Sequence, residues 1–224
     1  MKDVTDYILS KTSKIIPEAE VTGATYSMFN TGGVEVEVAE YLYSLVRLYK
    51  PNFIVETGTH LGISSLYMAL GLEKNGTGLL ETYEVIQSLQ AQAQALWTDL
   101  NIQHRIVSHL KPSLSAHLKD SIDILFLDSE PQFRFDEFIY FWPMLRPGGI
   151  VIIHDLHPTL GKSGIEQAGM TDWPYGPWEK KLGKFVKDYD IQMLFAPSPR
   201  GLTIMQKTRE TDENIKFLNG HYDV

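Results

Sequence analysis

The chain has 224 residues, a formal net charge of −8 and no cysteine. An acidic balance argues against a nucleic-acid or anionic-membrane surface, either of which would present a Lys/Arg excess, and leaves a small-molecule partner as the expectation. Without thiols, neither a disulfide framework nor thiolate metal ligation is open.

The length suits one α/β domain over 1–224, with 1–50 as an N-terminal helical or lid segment, 51–207 as the core and 208–224 as a polar tail. The N-terminus carries no signal-like basic and apolar segment, and no apolar run reaches the roughly 18 residues of a membrane span. A soluble, cytoplasmic protein is expected, with a homodimer left open.

In chain order, Val34–Tyr49 has apolar residues at helical spacing, and Pro51 ends that run before a strand at Phe53–Glu56. Gly62–Glu73 reads as the next helix, Asn75-Gly76-Thr77-Gly78 as a turn, and Leu79–Glu84 as the second strand. Ile86–Leu100 is rich in Gln, Ala and Leu and predicts a helix, followed by a short third strand at His104–Val107. The fourth strand falls at Ile122–Asp128. Phe133–Leu145 is an amphipathic helix stopped by the turn Arg146-Pro147-Gly148-Gly149, and Ile150–His154 is the fifth strand. Five βα units in succession imply parallel strands with helices on both faces.

The C-terminal part departs from this rhythm. Ile191–Ala196 and Leu202–Gln206 are strand-like runs joined by only Pro197–Gly201, too short for a parallel crossover, so they form an antiparallel hairpin. The fold expected is therefore a Rossmann-like, doubly wound seven-stranded α/β sheet of five parallel strands plus that hairpin.

Chemistry concentrates at the strand ends. The run Val55-Glu56-Thr57-Gly58-Thr59-His60-Leu61-Gly62-Ile63-Ser64-Ser65 joins a strand to a helix through two glycines, as backbone does where it approaches a ligand at a helix N-terminus. Its G-x-x-x-G spacing differs from the G-x-G-x-x-G of dinucleotide-binding domains. Glu84 ends the second strand about 20 residues beyond Gly62, the separation of a ribose-binding acid in a βαβ unit, with Glu81 as its competitor. Ligands in such sheets lie beyond the carboxyl ends of the strands where strand order reverses. Asp128 ends strand four, and His154-Asp155 end strand five next to it. The three converge as a candidate site for a divalent ion such as Mg²⁺ or Mn²⁺.

From about Gly33 to Lys207 the sequence resembles the class I S-adenosylmethionine (SAM) methyltransferases. The resemblance rests on the Glu56–Gly62 run, the strand Gly78–Glu84, Asp123-Ile124-Leu125-Phe126-Leu127-Asp128, and Leu145-Arg146-Pro147-Gly148-Gly149-Ile150-Val151-Ile152-Ile153-His154-Asp155. It implies SAM as cofactor, held by Glu56, Gly58, Thr59, Gly62, Ser64, Ser65, Glu84 and Asp128. Ser108-His109 falls where the family's adenine contact usually lies, without the usual Gly-Asp-type pair.

Within that family the match is to metal-dependent O-methyltransferases, which hold a divalent ion with an Asp ending strand four and an acidic or Asp-Asn pair ending strand five. Asp128 and Asp155 agree, whereas His154 replaces the usual acid. Leu127-Asp128-Ser129-Glu130 resembles the macrolide-sugar branch, with its second acid two residues on. The catechol branch has a lysine where this chain has Pro131. The implied activity is methyl transfer to a hydroxyl of a sugar-like or natural-product acceptor, with Asp128, Glu130 and His157 as candidate catalytic groups. A metal-independent N- or O-methyltransferase, another reaction on the same fold as in cephalosporin-hydroxylase-like proteins, and a non-catalytic SAM-binding module are the alternatives. Acceptor selectivity is expected from Tyr26–Asn30 and the aromatic insert Pro158–Pro177.

Overall fold

The computed structural model describes residues 2–11, 27–29, 33–156, 191–196 and 200–208. His157, the Pro158–Pro177 insert and the tail from 209 onward lie outside them. The elements are α1 (Lys2–Lys11), α2 (Val36–Tyr49), β1 (Phe53–Thr57), α3 (Ile63–Asn75), β2 (Leu79–Glu84), α4 (Gln87–Asp99), β3 (Ile106–Leu110), β4 (Ile122–Leu127), α5 (Pro131–Phe141), β5 (Leu145–His154), β6 (Gln192–Ala196) and β7 (Leu202–Gln206). They build one seven-stranded sheet of order β3-β2-β1-β4-β5-β7-β6, in which β1 to β5 pair in parallel. β7 runs antiparallel to both β5 and β6.

Both faces of the sheet are covered, which is why every residue of β1 and β4 is buried and all but Glu56, Thr57 and Asp123 are apolar. Successive side chains alternate between two cores. Ile54, Ile124, Phe126, Ile150 and Ile152 pack with α2, α3 and α4 on one face. Val55, Leu125, Leu127, Val151 and Ile153 pack with Phe138 and Phe141 of α5 and with Trp142 on the other.

α2 and α3 cross closely because α3 carries Gly71, where an added Cβ would lie 2.7 Å from a methyl of Val46. Asn75 and Arg47 fasten the crossing: Asn75 Nδ2 donates to the Val46 carbonyl and Arg47 Nη1 to Asn75 Oδ1, at 2.9 and 2.6 Å.

The boundaries of three elements differ most from expectation. β3 begins at Ile106 and not at His104, because Gln103–Arg105 form a 3₁₀ turn held by His104 and Arg105 to Glu73 of α3. α5 starts at Pro131, an N1 position that suits proline's fixed φ and missing donor, and ends at Phe141 before a 3₁₀ turn carrying Pro143. β5 reaches back to Leu145, with Gly148 at φ +78° absorbing the bend of the expected turn. α1 lies in the segment expected to be helical or a lid, where the sequence placed a helix only at Val34–Tyr49; its Ile8 is buried against the α2/α3 side of the core.

Gly62 and Gly76, at the two ends of α3, have φ near +75° and +80°. A Cβ at Gly62 would stand 2.7 Å from Ala93 Cβ and from the Trp97 ring, whereas one at Gly76 would meet nothing within 4 Å. Gly76→Ala should therefore lose only the left-handed backbone cost, about 1–2 kcal/mol. Gly62→Ala should lose about 1–3 kcal/mol more through overpacking, seen as the larger fall in urea midpoint. Equal losses would show that α4 yields to the added methyl.

Candidate active site

Strand order reverses between β1 and β4, and beyond their carboxyl ends lies a cavity of about 640 Å³. Its bottom is the turn after β1. Gly58 N and Thr59 N both donate to the Tyr83 carbonyl of β2, Asp128 N donates to the Thr57 carbonyl at 3.0 Å, and Thr59 and Thr82 share a hydroxyl hydrogen bond of 2.6 Å.

Gly58 is required for a reason the sequence reading did not contain. At φ +82°, an added Cβ would overlap the Asp128 carbonyl oxygen and stand 2.7 Å from Ser129 Cα. The backbone that approaches Gly58 is the tip of β4, so a side chain there would part the strand tips before it met any ligand.

Glu84 borders the cavity at 7% exposure, held by three backbone amides: His60 N on Oε2, and Val85 N and Ile86 N on Oε1, each at 2.8 Å. The competitor, Glu81, is engaged elsewhere, with the Tyr83 hydroxyl and His109 Nε2.

Glu56 lies beneath the turn and does not line the cavity. It is fully buried, and its two oxygens accept from the Ser64 and Ser65 hydroxyls, which fixes the first turn of α3. Gly58, Thr59, Ser64, Glu84, Asp128 and Glu130 reach the cavity wall; Gly62, Ser65, Ser108, His109 and His154 do not. Ser108 is taken by Gln90 Nε2, and His109 stacks on Tyr83 with centroids 4.8 Å apart. The wall expected from Ser108-His109 is supplied by Lys111–Leu114, together with Val85, Ile86 and Leu89.

Sequence reasoning passed over Glu137, Glu35, Arg134 and Arg200. Glu137 of α5 is 2% exposed and borders the cavity. It accepts hydroxyl hydrogen bonds from Thr57, Ser113 and Ser129, joining the ends of β1, the β3–β4 connection and β4. Its only sequence signal was a carboxylate on the apolar side of an amphipathic helix.

The other three surround the candidate metal trio. Asp128, His154 and Asp155 each offer a donor atom within 4.8 Å of the others, and Asp155 takes φ +57°, which Asp tolerates better than most residues. Each of these side chains has an ion-pair partner in the protein, although Asp155 Oδ1 is a buried oxygen that accepts no hydrogen bond among the described residues. His154 Nδ1 meets Asp128 Oδ1 at 2.9 Å and Nε2 meets Glu35 Oε2 at 2.6 Å. Arg134 Nη2 lies 3.1 Å from Asp128 Oδ1 and 3.3 Å from Asp155 Oδ2, while Nη1 donates to the His154 carbonyl at 2.5 Å. Arg200, in the β6–β7 connection, sets Nε 2.9 Å from Asp155 Oδ1 and Nη2 3.0 Å from Oδ2, and donates to the Gly33 carbonyl.

Burial would push the imidazole of His154 down, but the carboxylates of Asp128, Asp155 and Glu35 outweigh it and raise it to about 10. Burial likewise works against ionisation of Asp155, and His154, Arg200 and Arg134 overcome it to hold its carboxyl below the ordinary range. Three carboxylates thus face one imidazolium and two guanidiniums.

Sheet order, the reversed hairpin and a cavity at the β1/β4 split define a Rossmann-like methyltransferase fold. Residues 55–156 match the family model described as a methyltransferase domain. A Mycobacteroides abscessus protein described provisionally as an O-methyltransferase is 30% identical over 145 residues, 63% of this chain and 66% of its own length. A Mycobacterium relative of the same description is 29% identical over 55% of this chain and 57% of its own. The chain therefore spans somewhat under two thirds of the length of these curated relatives.

Among solved structures, the Bacillus cereus O-methyltransferase in complex with SAH superposes with a TM-score of 0.68 at 16% identity, over 92% of this chain and 91% of that one. The Streptomyces achromogenes O-methyltransferase TomG, in complex with SAM, gives 0.61 at 20% identity over 92% and 96%. The chain is thus similar to a methyltransferase domain over residues 55–156, to relatives described provisionally as O-methyltransferases, and in fold to solved O-methyltransferases.

Glu56 provides a test of the buried turn. Its burial pushes the carboxyl up to about 7 despite the Ser64, Ser65 and Thr82 hydrogen bonds. The folded chain then binds this proton more tightly than the unfolded one. Stability contributed here falls as pH rises from the ordinary value of 4.5 toward about 7 and is level above it. The fall amounts to about 3 kcal/mol at most. Glu56→Gln removes it, so the variant's Tm relative to wild type should climb between about pH 5 and pH 8; a pH-independent difference would mean that Glu56 is ionised throughout.

Proposed function

We propose that the protein is a SAM-dependent methyltransferase that moves a methyl group to a hydroxyl of a small, sugar-like or natural-product acceptor. The observation that carries this reading is Glu84, oriented by three amides at the rim of an apolar-walled cavity whose turn packs against the β4 tip at Gly58. A fixed carboxylate with about one lone-pair site left over, on Oε2, suits a ribose hydroxyl, and Val85, Ile86, Leu89 and Leu114 suit the flat faces of an adenine.

SAM supplies an activated sulfonium methyl, so the protein's task is alignment and removal of one proton. The acceptor oxygen attacks the methyl carbon as the C–S bond breaks, and the hydroxyl proton passes to a carboxylate. Asp128 and Glu130 border the cavity and are the bases within reach; His157 is a third candidate. Phe133, half exposed beside Glu130 and Pro131, offers an apolar platform for the acceptor. TomG, described as acting in tomaymycin synthesis, supports a natural-product acceptor. In this reading 51–207 is the core segment, and of the described residues before it Gly33 and Val34 border the cavity. Of the routes with and without a divalent ion, the pairing of the Asp128, His154 and Asp155 donors favours the route without.

Titration calorimetry with SAM or SAH tests the reading. Binding is expected in wild type, and Glu84→Gln, which turns one acceptor into a donor, should weaken it by about 1.5–3 kcal/mol in a variant shown to be folded by circular dichroism; Tm falls as well, because the new NH2 faces a backbone N–H that Glu84 accepts from. Undiminished affinity in the variant would remove Glu84 from the ribose site.

A further inference from the structure

The Asp128–His154–Asp155 cluster meets the spacing of a divalent-metal centre, and its surroundings contradict that use. An ion there would bridge Asp128 and Asp155 and take a lone pair from His154. Arg134 Nη2 already bridges the two carboxylates, at 3.1 and 3.3 Å. Arg200 donates to Asp155 Oδ2 and sets Nε 2.9 Å from Oδ1, an ion-pair contact at an oxygen that accepts no hydrogen bond among the described residues, so the guanidinium charge occupies the side an ion would use. Each ring nitrogen of His154 faces a carboxylate, Asp128 on one side and Glu35 on the other, so no ring nitrogen is left to ligate. Adding a dication would place it beside two guanidiniums that cannot be deprotonated.

We propose that in this chain the two arginines take the place of the ion: Arg134 and Arg200 are the fixed cations of the acceptor site, and Glu35 locks His154 out of metal ligation. Both arginines border the cavity. Their charge is therefore positioned to stabilise an acceptor oxygen losing its proton, with no reorganisation at the moment of reaction. Asp128 Oδ1 takes the contacts to Arg134 and His154, and the Asp128 side chain still borders the cavity as the proton acceptor. The cluster also joins segments far apart in sequence: Gly33 and Glu35 before α2, the tips of β4 and β5, α5, and the β6–β7 connection. This proposal rests on the methyltransferase reading for its chemistry but not for its ion-binding claim.

The test uses the full chain, stripped with chelator and dialysed. Mn²⁺ binding followed by electron paramagnetic resonance should show no saturable site tighter than about 1 mM. The ¹⁵N resonances of the His154 ring should not move on adding Mg²⁺. Arg134→Met and Arg200→Met, checked for folding by circular dichroism, should gain saturable Mn²⁺ binding as the carboxylates are uncovered. Saturable Mn²⁺ binding to wild type that is lost in His154→Ala, or Mg²⁺-induced shifts of the His154 nitrogens, would overturn the proposal. A folded arginine variant that gains nothing would overturn the claim that guanidinium excludes the ion. Should a variant fail to fold, the two wild-type measurements decide alone. SAH calorimetry on the same wild-type sample separates the readings: absent SAH binding sinks the methyltransferase assignment and leaves the metal result standing.

Discussion

Parallel strands point the same way, so a sheet of this kind gathers the residues at its strand ends into one crevice, and here four of them are acids. Glu56, Glu84, Asp128 and Asp155 end or follow β1, β2, β4 and β5 within a few residues of one another on neighbouring strands. Left alone, that much like charge in a partly dry cavity would oppose folding. Each acid is compensated differently, and the differences assign the roles.

Glu56 has its carboxyl pushed up to about 7 by burial and uses its oxygens on serine hydroxyls, as a structural pin for α3. Glu84 is met by backbone amides, which orient it without cancelling its charge, as suits a group that must still accept from a ligand. Asp128 and Asp155 are met by full cations, and Glu35 joins them through His154. The strand ends are thus divided into a buried carboxyl beneath the turn, an amide-held carboxylate at the rim and an ionic wall.

The ionic wall also ties the active site to the rest of the chain. Arg200 and Glu35 reach it from segments 165 positions apart in the sequence, so the N-terminal segment and the terminal hairpin take part in shaping the cavity. Breaking one member of such a buried set leaves the others uncompensated, so loss of a single charge there costs more than loss of a surface pair.

The sequence by itself determined the sheet. Continuous apolar runs flanked by Gly and Pro located six of the seven strands to within a residue or two at all but one end, and the short Pro197–Gly201 link forced the reversed hairpin. β3 slipped because its polar Ser108 and His109 interrupt the apolar signal of an edge strand. The split between β1 and β4 followed from fold topology, and with it the crevice and the positions of Gly58, Glu84 and Asp128. What tertiary structure alone decided is which groups face one another. No spacing in the chain links Glu35 to His154, Arg200 to Asp155 or Glu137 to Ser113, since each pairing arises when separate segments meet at the same strand ends. Local periodicity reports how a segment meets the core; the partner of a buried charge is set by long-range packing, and it is that partner which turns a metal-like trio of donors into a salt-bridged wall.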